Sequence, residues 1–235
     1  MNALRLLVTR PQYDGERIAA ALRARGHSVL LAPLTRIEPL AADLGADPFA
    51  AVLFTSANAV RAIADHARRA ELLRLPVLAV GERTADAARA AGFSDVTSAG
   101  GDVNDLRALA RKRNAPGLLL YLAGEDRAGD LAGDLAAGGL AVRMAVVYRA
   151  AAVAFPPALA QALQAGALDA ALHFSRRSAE LYLTGTRTAG MFAPALALAH
   201  YCLSPQVAAP LAGAGARKIA VATRPDEAAL MDLFG

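Results

Sequence analysis

Short runs of Val and Leu recur along this chain, each closed by a turn and followed by an Ala-rich stretch with apolar residues at helical spacing. That alternation predicts βα units around parallel sheets, because strands covered on both faces read as unbroken apolar runs while the crossover helices keep one polar side. The predicted strands span residues 4–9, 28–33, 50–56, 76–81, 95–98, 118–122, 142–148, 170–175, 196–204 and 218–223. Ten such strands exceed one ordinary small sheet, so the expected fold class is α/β with two parallel five-stranded sheets.

The pattern also repeats. LLVTRPQYDGERIAAALRARGHSVLLAP is similar to LLLYLAGEDRAGDLAGDLAAGGLAVRMAVVY, two βαβ units in which glycine closes the helix. LFTSANAVRAI matches HFSRRSAELYL, and LAVGERTADAARAAGFSDVTS matches YCLSPQVAAPLAGAGARKIAVAT. Two assemblies follow: each short unit joins the long unit after it, or the middle pair forms one domain and the chain ends form the other. The second needs two extended connecting segments, and LTRIEPLAA and YRAAAVAFP would serve. Periodicity leaves both open.

In open parallel sheets the ligand crevice lies beyond the carboxyl ends of the strands. The loops at those ends are TRPQYDG (9–15), TSAN (55–58), GERT (81–84), AGEDR (123–127), SRRS (175–178) and LSPQ (203–206). Their Ser and Thr residues are helix caps, and the open backbone amides at such turns attract anions. Arg10, Arg83, Arg127, Arg176 and Arg177 stand beside them. Together these groups suit a ligand with several carboxylates better than a nucleotide.

Absent signatures narrow the chemistry. The chain has no GxxxxGK[ST] phosphate loop, and AGAGAR follows a helix, where glycine reads as a C-cap and not as a dinucleotide fingerprint. His27, His66, His173 and His200 show no HxxxH or HExxH spacing, so no metal site is expected, and His173 reads as a buried or edge histidine. No GxSxG nucleophile elbow occurs.

Composition changes the picture only at a few points. The 235 residues are 55% hydrophobic and 20% charged, enough to bury the cores of one large or two small domains. No run of about 18 apolar residues and no signal-peptide layout is present, so a cytoplasmic protein with no membrane partner is expected. The lone Cys202 rules out an internal disulfide and reads as a buried thiol. The net charge of +4 rests on arginine, with Lys112 and Lys218 the only lysines, so no nucleic-acid partner is expected.

The segments LLVTRP, VLFTSANAV, LAVGERTADAARAAG, LYLAGEDR, VVYR, HFSRRSAE and CLSPQVA, in that order and covering most of the chain, resemble those of the uroporphyrinogen-III synthases. Each motif is short, and their joint order carries the resemblance. It implies two flavodoxin-like domains joined by a two-stranded connector, residues 1–35 with 152–235 as one and 36–151 as the other, the connectors near 34–42 and 147–156. It thereby selects the second assembly.

The resemblance further implies a lyase without cofactor or metal, whose substrate is hydroxymethylbilane. The terminal hydroxyl leaves as water, an azafulvene forms, and the ring closes through a spiro intermediate with the last pyrrole inverted. Tyr148 matches the tyrosine proposed to assist departure of the hydroxyl, although it also reads as a connector tyrosine packing between elements. Thr55, Ser56, Asn58, Gly81, Thr84, Ser175, Ser178 and Ser204 match cleft-lining positions, and Arg10, Gly124 and Arg127 complete the expected substrate contacts. Gln206 and Val207 stand where some members carry threonines. A monomer is expected, with transient contact with the upstream enzyme that forms the bilane. Rival readings are a two-domain binding protein for an anionic small molecule, without turnover, and a Rossmann-type transferase or dehydrogenase.

Overall fold

The computed structural model describes residues 3–113, 116–127 and 129–234. In chain order these form β1 (Arg5–Val8), α1 (Gln12–Ala24), β2 (Ser28–Leu31), β3 (Thr35–Pro39), β4 (Phe49–Phe54), α2 (Ala57–Ala62), α3 (Arg69–Leu72), β5 (Val77–Ala79), α4 (Glu82–Ala90), β6 (Val96–Ser98), α5 (Val103–Arg113) and β7 (Leu118–Gly124). There follow α6 (Leu131–Ala137), β8 (Val142–Ala152), α7 (Pro157–Gln164), β9 (Ala170–His173), α8 (Arg176–Thr188), α9 (Phe192–Ala197), β10 (Ala199–Cys202), α10 (Pro205–Gly213), β11 (Ile219–Val221) and α11 (Glu227–Met231). No helix among the described residues is long and apolar enough to cross a membrane.

The strands build two sheets, ordered β11-β10-β9-β1-β2 and β3-β8-β7-β4-β5-β6. The contacts divide the chain into two compact units, Met1–Arg36 with Ala151–Gly235 and Ile37–Ala150. The second sheet holds six strands where five were expected, because 35–39 forms β3 on the edge beside β8. Val153 N–H donates to the Leu34 carbonyl (3.0 Å) and Leu40 N–H to the Val147 carbonyl (2.8 Å), so β3 runs antiparallel to its neighbour. Glu38 accepts from Arg149 at 2.8 Å across the same pair. Pro39 closes the strand at an edge, where a missing N–H costs no ladder bond.

Within the first unit, β1 shows why the strands are continuously apolar. Leu7 packs into one core with Tyr182, Leu211 and Cys202, while Leu6 and Val8 pack into another with Ile18, Leu22 and Leu230. Both faces are covered, so alternation is lost. Helix α1 meets the sheet through Ile18, Ala19 and Leu22, and Gly26 at φ 88° ends it, a conformation side chains rarely adopt. Numbered by appearance within this unit, the strands stand 2-1-3-4-5, with the order reversing between β1 and β9.

The second unit repeats the logic. Leu120 and Leu122 of β7 pack with Val52, Phe54 and Val77, and Leu119, Tyr121 and Ala123 pack on the other face with Leu53, Leu78 and Leu106. Truncating Leu120 to Ala would cost on the order of 2–5 kcal/mol from lost transfer and the cavity left behind. Its parallel strands β4 to β8 stand 3-2-1-4-5, and the order reverses between β4 and β7. The AGAGAR segment ends α10, with Gly215 at φ 97° just beyond the helix.

Candidate functional site

Each sheet has its order reversal at a defined pair of strands, and the helices that follow pack on opposite faces there, the position at which open parallel sheets bind their ligands. In the second unit that point lies between Thr55, just after β4, and Gly124, the last residue of β7. Thr55 Oγ1 and the Tyr121 hydroxyl are hydrogen bonded at 3.1 Å. Ser56 caps α2, its Oγ accepting from the Asn58 N–H at 3.1 Å, and Asn58 Oδ1 accepts from Arg61. On the adjacent strand Gly81 caps α4 through its carbonyl, which accepts from the N–H groups of Thr84 and Ala85 at 3.0 Å each, and Thr84 is buried. Arg127 is exposed and folds back onto its own loop, Nη1 donating to the carbonyls of Gly124 (3.0 Å) and Glu125 (3.2 Å).

Tyr148 lies on β8, whose register against β7 shifts between Ala123 and Gly124, so that Ala123 pairs with Val146 and Gly124 with Tyr148. Its half-buried ring packs against the core that holds Phe54 and Leu122. Seven expected residues, Thr55, Ser56, Asn58, Gly81, Thr84, Gly124 and Arg127, therefore stand at or just beyond the carboxyl ends of β4, β5 and β7, and Tyr148, within β8, pairs with the last residue of β7.

In the first unit the reversal lies between Arg10, after β1, and Ser175, after β9. Ser175 caps α8: its Oγ accepts from the Ser178 N–H (3.1 Å) and donates to Ser178 Oγ (3.0 Å), which itself donates to the Ser175 carbonyl (2.9 Å). Helix α8 opens with Arg176 and Arg177 and has no acid in its first turn, so side chains add to the positive N-terminal dipole there. Arg176 pairs with Glu180 at 2.8 Å on the surface. Ser204 starts α10 with its carbonyl accepting from Val207 and Ala208 (3.1 Å each), while its hydroxyl makes no cap bond. Gln206 is exposed and Val207 is buried.

Arg10 has a different setting. Its guanidinium pairs with Glu227 (2.5 Å) and Asp14 (3.4 Å) and lies 4.7 Å from the centre of the Phe174 ring, and Arg17 also pairs with Glu227. These partners hold the loop after β1 to α11. No local pattern announced Glu227, 217 residues away. Tyr121 also escaped the sequence reading, although a lone phenol in the apolar run LLLYLA is a group that needs a polar partner.

The histidines form a pair that their spacing hid. His173 Nε2 and His200 Nδ1 are 3.1 Å apart, both rings fully buried, on neighbouring strands and beside Tyr182. Burial first, and the neighbouring His200 second, pushes the His173 pKa down to about 3. Burial lowers His200 to about 4. Both are therefore neutral near pH 7 and belong to the core. Burial likewise raises the Cys202 thiol to about 12, which makes it inert. Among the described residues no three His, Cys, Asp or Glu side chains are grouped to hold a metal ion.

Comparison with known proteins adds a family and a fold. The family model for uroporphyrinogen-III synthase HemD matches residues 16–232. A uroporphyrinogen-III synthetase from Helicobacter pylori superposes with a TM-score of 0.69 at 18% identity, covering 98% of each chain. A mutant uroporphyrinogen III synthase from the extremely thermophilic bacterium Thermus thermophilus superposes with a TM-score of 0.52 at 19% identity, over 99% of this chain and 97% of that one. At these identities the structures speak for a shared α/β fold alone. No curated protein sequence matches.

Proposed function

Because the chain belongs to the uroporphyrinogen-III synthase family, over residues 16–232, we propose that the carboxyl edges of its two sheets carry that family's reaction. The activity is that of a lyase of tetrapyrrole biosynthesis, which closes hydroxymethylbilane to uroporphyrinogen III with loss of water and inversion of the last pyrrole. The family match carries this conclusion.

Tyr148 is the proposed acid. Its phenol assists the terminal hydroxyl as it leaves as water, and the pyrrole nitrogen supplies the electrons that form the azafulvene. The last ring then adds to give the spiro intermediate, which reopens and recloses inverted. Unguided closure gives the uninverted ring, so the protein's task is to hold geometry. Fixed amides and caps at strand ends do this without reorganising during the reaction.

The acetate and propionate groups are held by backbone amides at the turns of Thr55–Ser56–Asn58, Gly81–Thr84, Gly124–Arg127, Ser175–Ser178 and Ser204, with Arg127 and the arginine-led start of α8 adding positive charge. Arg10 enters as the residue that fixes the loop after β1, since direct carboxylate binding would require it to exchange Glu227 and Asp14. The strand order of the first unit supports a flavodoxin-like reading for it. The β3–β8 pair, within which both unit boundaries fall, supports its reading as the connector of domains 1–35 with 152–235 and 36–151. We further propose a cytoplasmic monomer that meets the upstream bilane-forming enzyme only transiently.

The test is to supply purified protein with freshly generated hydroxymethylbilane, oxidise the products and separate the type I and type III isomers. An excess of type III over the protein-free control, retained after chelator treatment, supports the synthase and its independence of removable metal. Type I alone from folded protein would sink it in favour of a binding protein without turnover.

A further inference from the structure

Gly124 has no conformational reason to be glycine. It is the last residue of β7 and lies outside the glycines at positive φ. Its reason is steric: a Cβ built there would stand 2.6 Å from Tyr148 Cζ, 2.7 Å from the hydroxyl oxygen and 3.0 Å from Cε2. The ring of Tyr148 thus lies in the space that a side chain at 124 would fill. Two further features bring it there. The β-bulge at Val147 sets Tyr148 opposite Gly124, and the Glu125 N–H donates to the Tyr148 carbonyl at 2.9 Å, locking the backbone on the far side of the bulge. Bulges re-aim the side chains that follow them.

We propose that Gly124 is the positioning residue of Tyr148: its bare Cα admits the ring and so sets the direction of the phenol. This rests on the reading of Tyr148 as the acid. With alanine at 124 the ring must retreat from 2.6 Å to an ordinary contact distance, a displacement of about 1 Å, and an error of that size costs a positioned reaction on the order of 10²-fold. The carbonyl of Gly124, which accepts from Arg127, is unchanged by the substitution.

The experiment is a cycle of Gly124→Ala, Tyr148→Ala and the double variant in the full chain, read by kcat and KM for ring closure, by the isomer ratio, and by urea unfolding. The expected result is that Gly124→Ala lowers kcat on the order of 10²-fold with KM little changed. In the Tyr148→Ala background the same change should alter neither kcat nor the unfolding midpoint, because the ring it displaces is gone. Wild-type kcat in Gly124→Ala, or an equal loss with and without Tyr148, would overturn the inference. Absence of type III product from the wild-type protein would sink the functional reading instead, and the unfolding cycle would still decide the contact: destabilisation that disappears with Tyr148 supports it, additive destabilisation refutes it.

Discussion

The hydroxyls of Thr55 and Tyr121 are 3.1 Å apart at the point where the order of the second sheet reverses. Tyr121 is 4% exposed, so its phenol has almost no access to water, and the half-buried Thr55 is held facing it. Tyr121→Phe keeps the ring in the core and removes the bond, which should cost about 1 kcal/mol. Thr55→Val should cost a similar amount, and the double variant should lose less than the sum. Urea unfolding of the four proteins measures this; strict additivity would show that the two hydroxyls are not coupled.

Arg10 distinguishes a structural from a substrate-binding arginine. Its side chain is 16% exposed and that of its partner Asp14 is 7% exposed, so Arg10→Ala leaves a nearly buried carboxylate with one counter-charge fewer. The expected loss is about 1–3 kcal/mol in unfolding free energy, with KM for the bilane changed much less. Arg10→Lys should recover little of it, because a point charge replaces the fork and the stacking on Phe174. A large rise in KM with stability intact would assign Arg10 to the substrate.

The buried histidine pair makes the first unit sensitive to acid. In the folded chain His200 sits at about 4 and His173 at about 3, against an ordinary 6.5, so below pH 6.5 the unfolded chain binds protons that the folded chain refuses. Tyr182 from α8 faces both rings, its hydroxyl donating to the Ala195 carbonyl. Stability is then complete above pH 6.5 and falls as pH drops toward 4, by on the order of 3 kcal/mol for His200 alone. His200→Gln should flatten that slope in melts taken from pH 7 to pH 4, at some cost to stability near neutrality. An unchanged slope in the variant would mean that other groups carry the acid response.

The strands were legible because their sequences are apolar runs, and each predicted run overlaps an observed strand. The exception is β3: TRIEP is mostly polar, with one apolar residue before the closing proline, so its pattern is that of a connecting segment, and only the pairing with β8 makes it a strand. The caps at Ser56, Gly81, Ser175 and Ser204 were readable because a turn between an apolar run and a helix is a local signal. What escaped was long-range: Tyr121 with Thr55, Arg10 with Glu227, and His173 with His200 are brought together by sheet order, which no local period encodes.

Cys202 offers a check on core integrity. Its side chain is fully buried and burial holds its thiol near 12, so a thiol reagent at pH 8 meets almost no thiolate and has no path to it. Native protein should remain unlabelled and react with one equivalent only in denaturant. Labelling of native protein at the rate of a free thiol would show that the α8 and α10 side of the first sheet opens readily.

Ser175 can separate helix capping from anion binding. Its Oγ accepts from the Ser178 N–H, so Ser175→Ala should cost about 1 kcal/mol, whereas Ser204→Ala should cost less because the Ser204 hydroxyl makes no cap bond. If the amides at these turns hold the substrate's carboxylates, both alanine variants should keep turnover close to wild type. Ser175→Asp is the sharper change. Aspartate caps a helix as well as serine does and favours the N-terminal dipole, so stability should be retained. It also places a negative charge where a carboxylate of the bilane is proposed to bind, beside Arg176 and Arg177 at the start of α8. KM should therefore rise while the unfolding midpoint stays, and the rise should shrink as ionic strength screens the repulsion. A Ser175→Asp variant with wild-type KM would remove this turn from the substrate site and leave it as an ordinary helix cap.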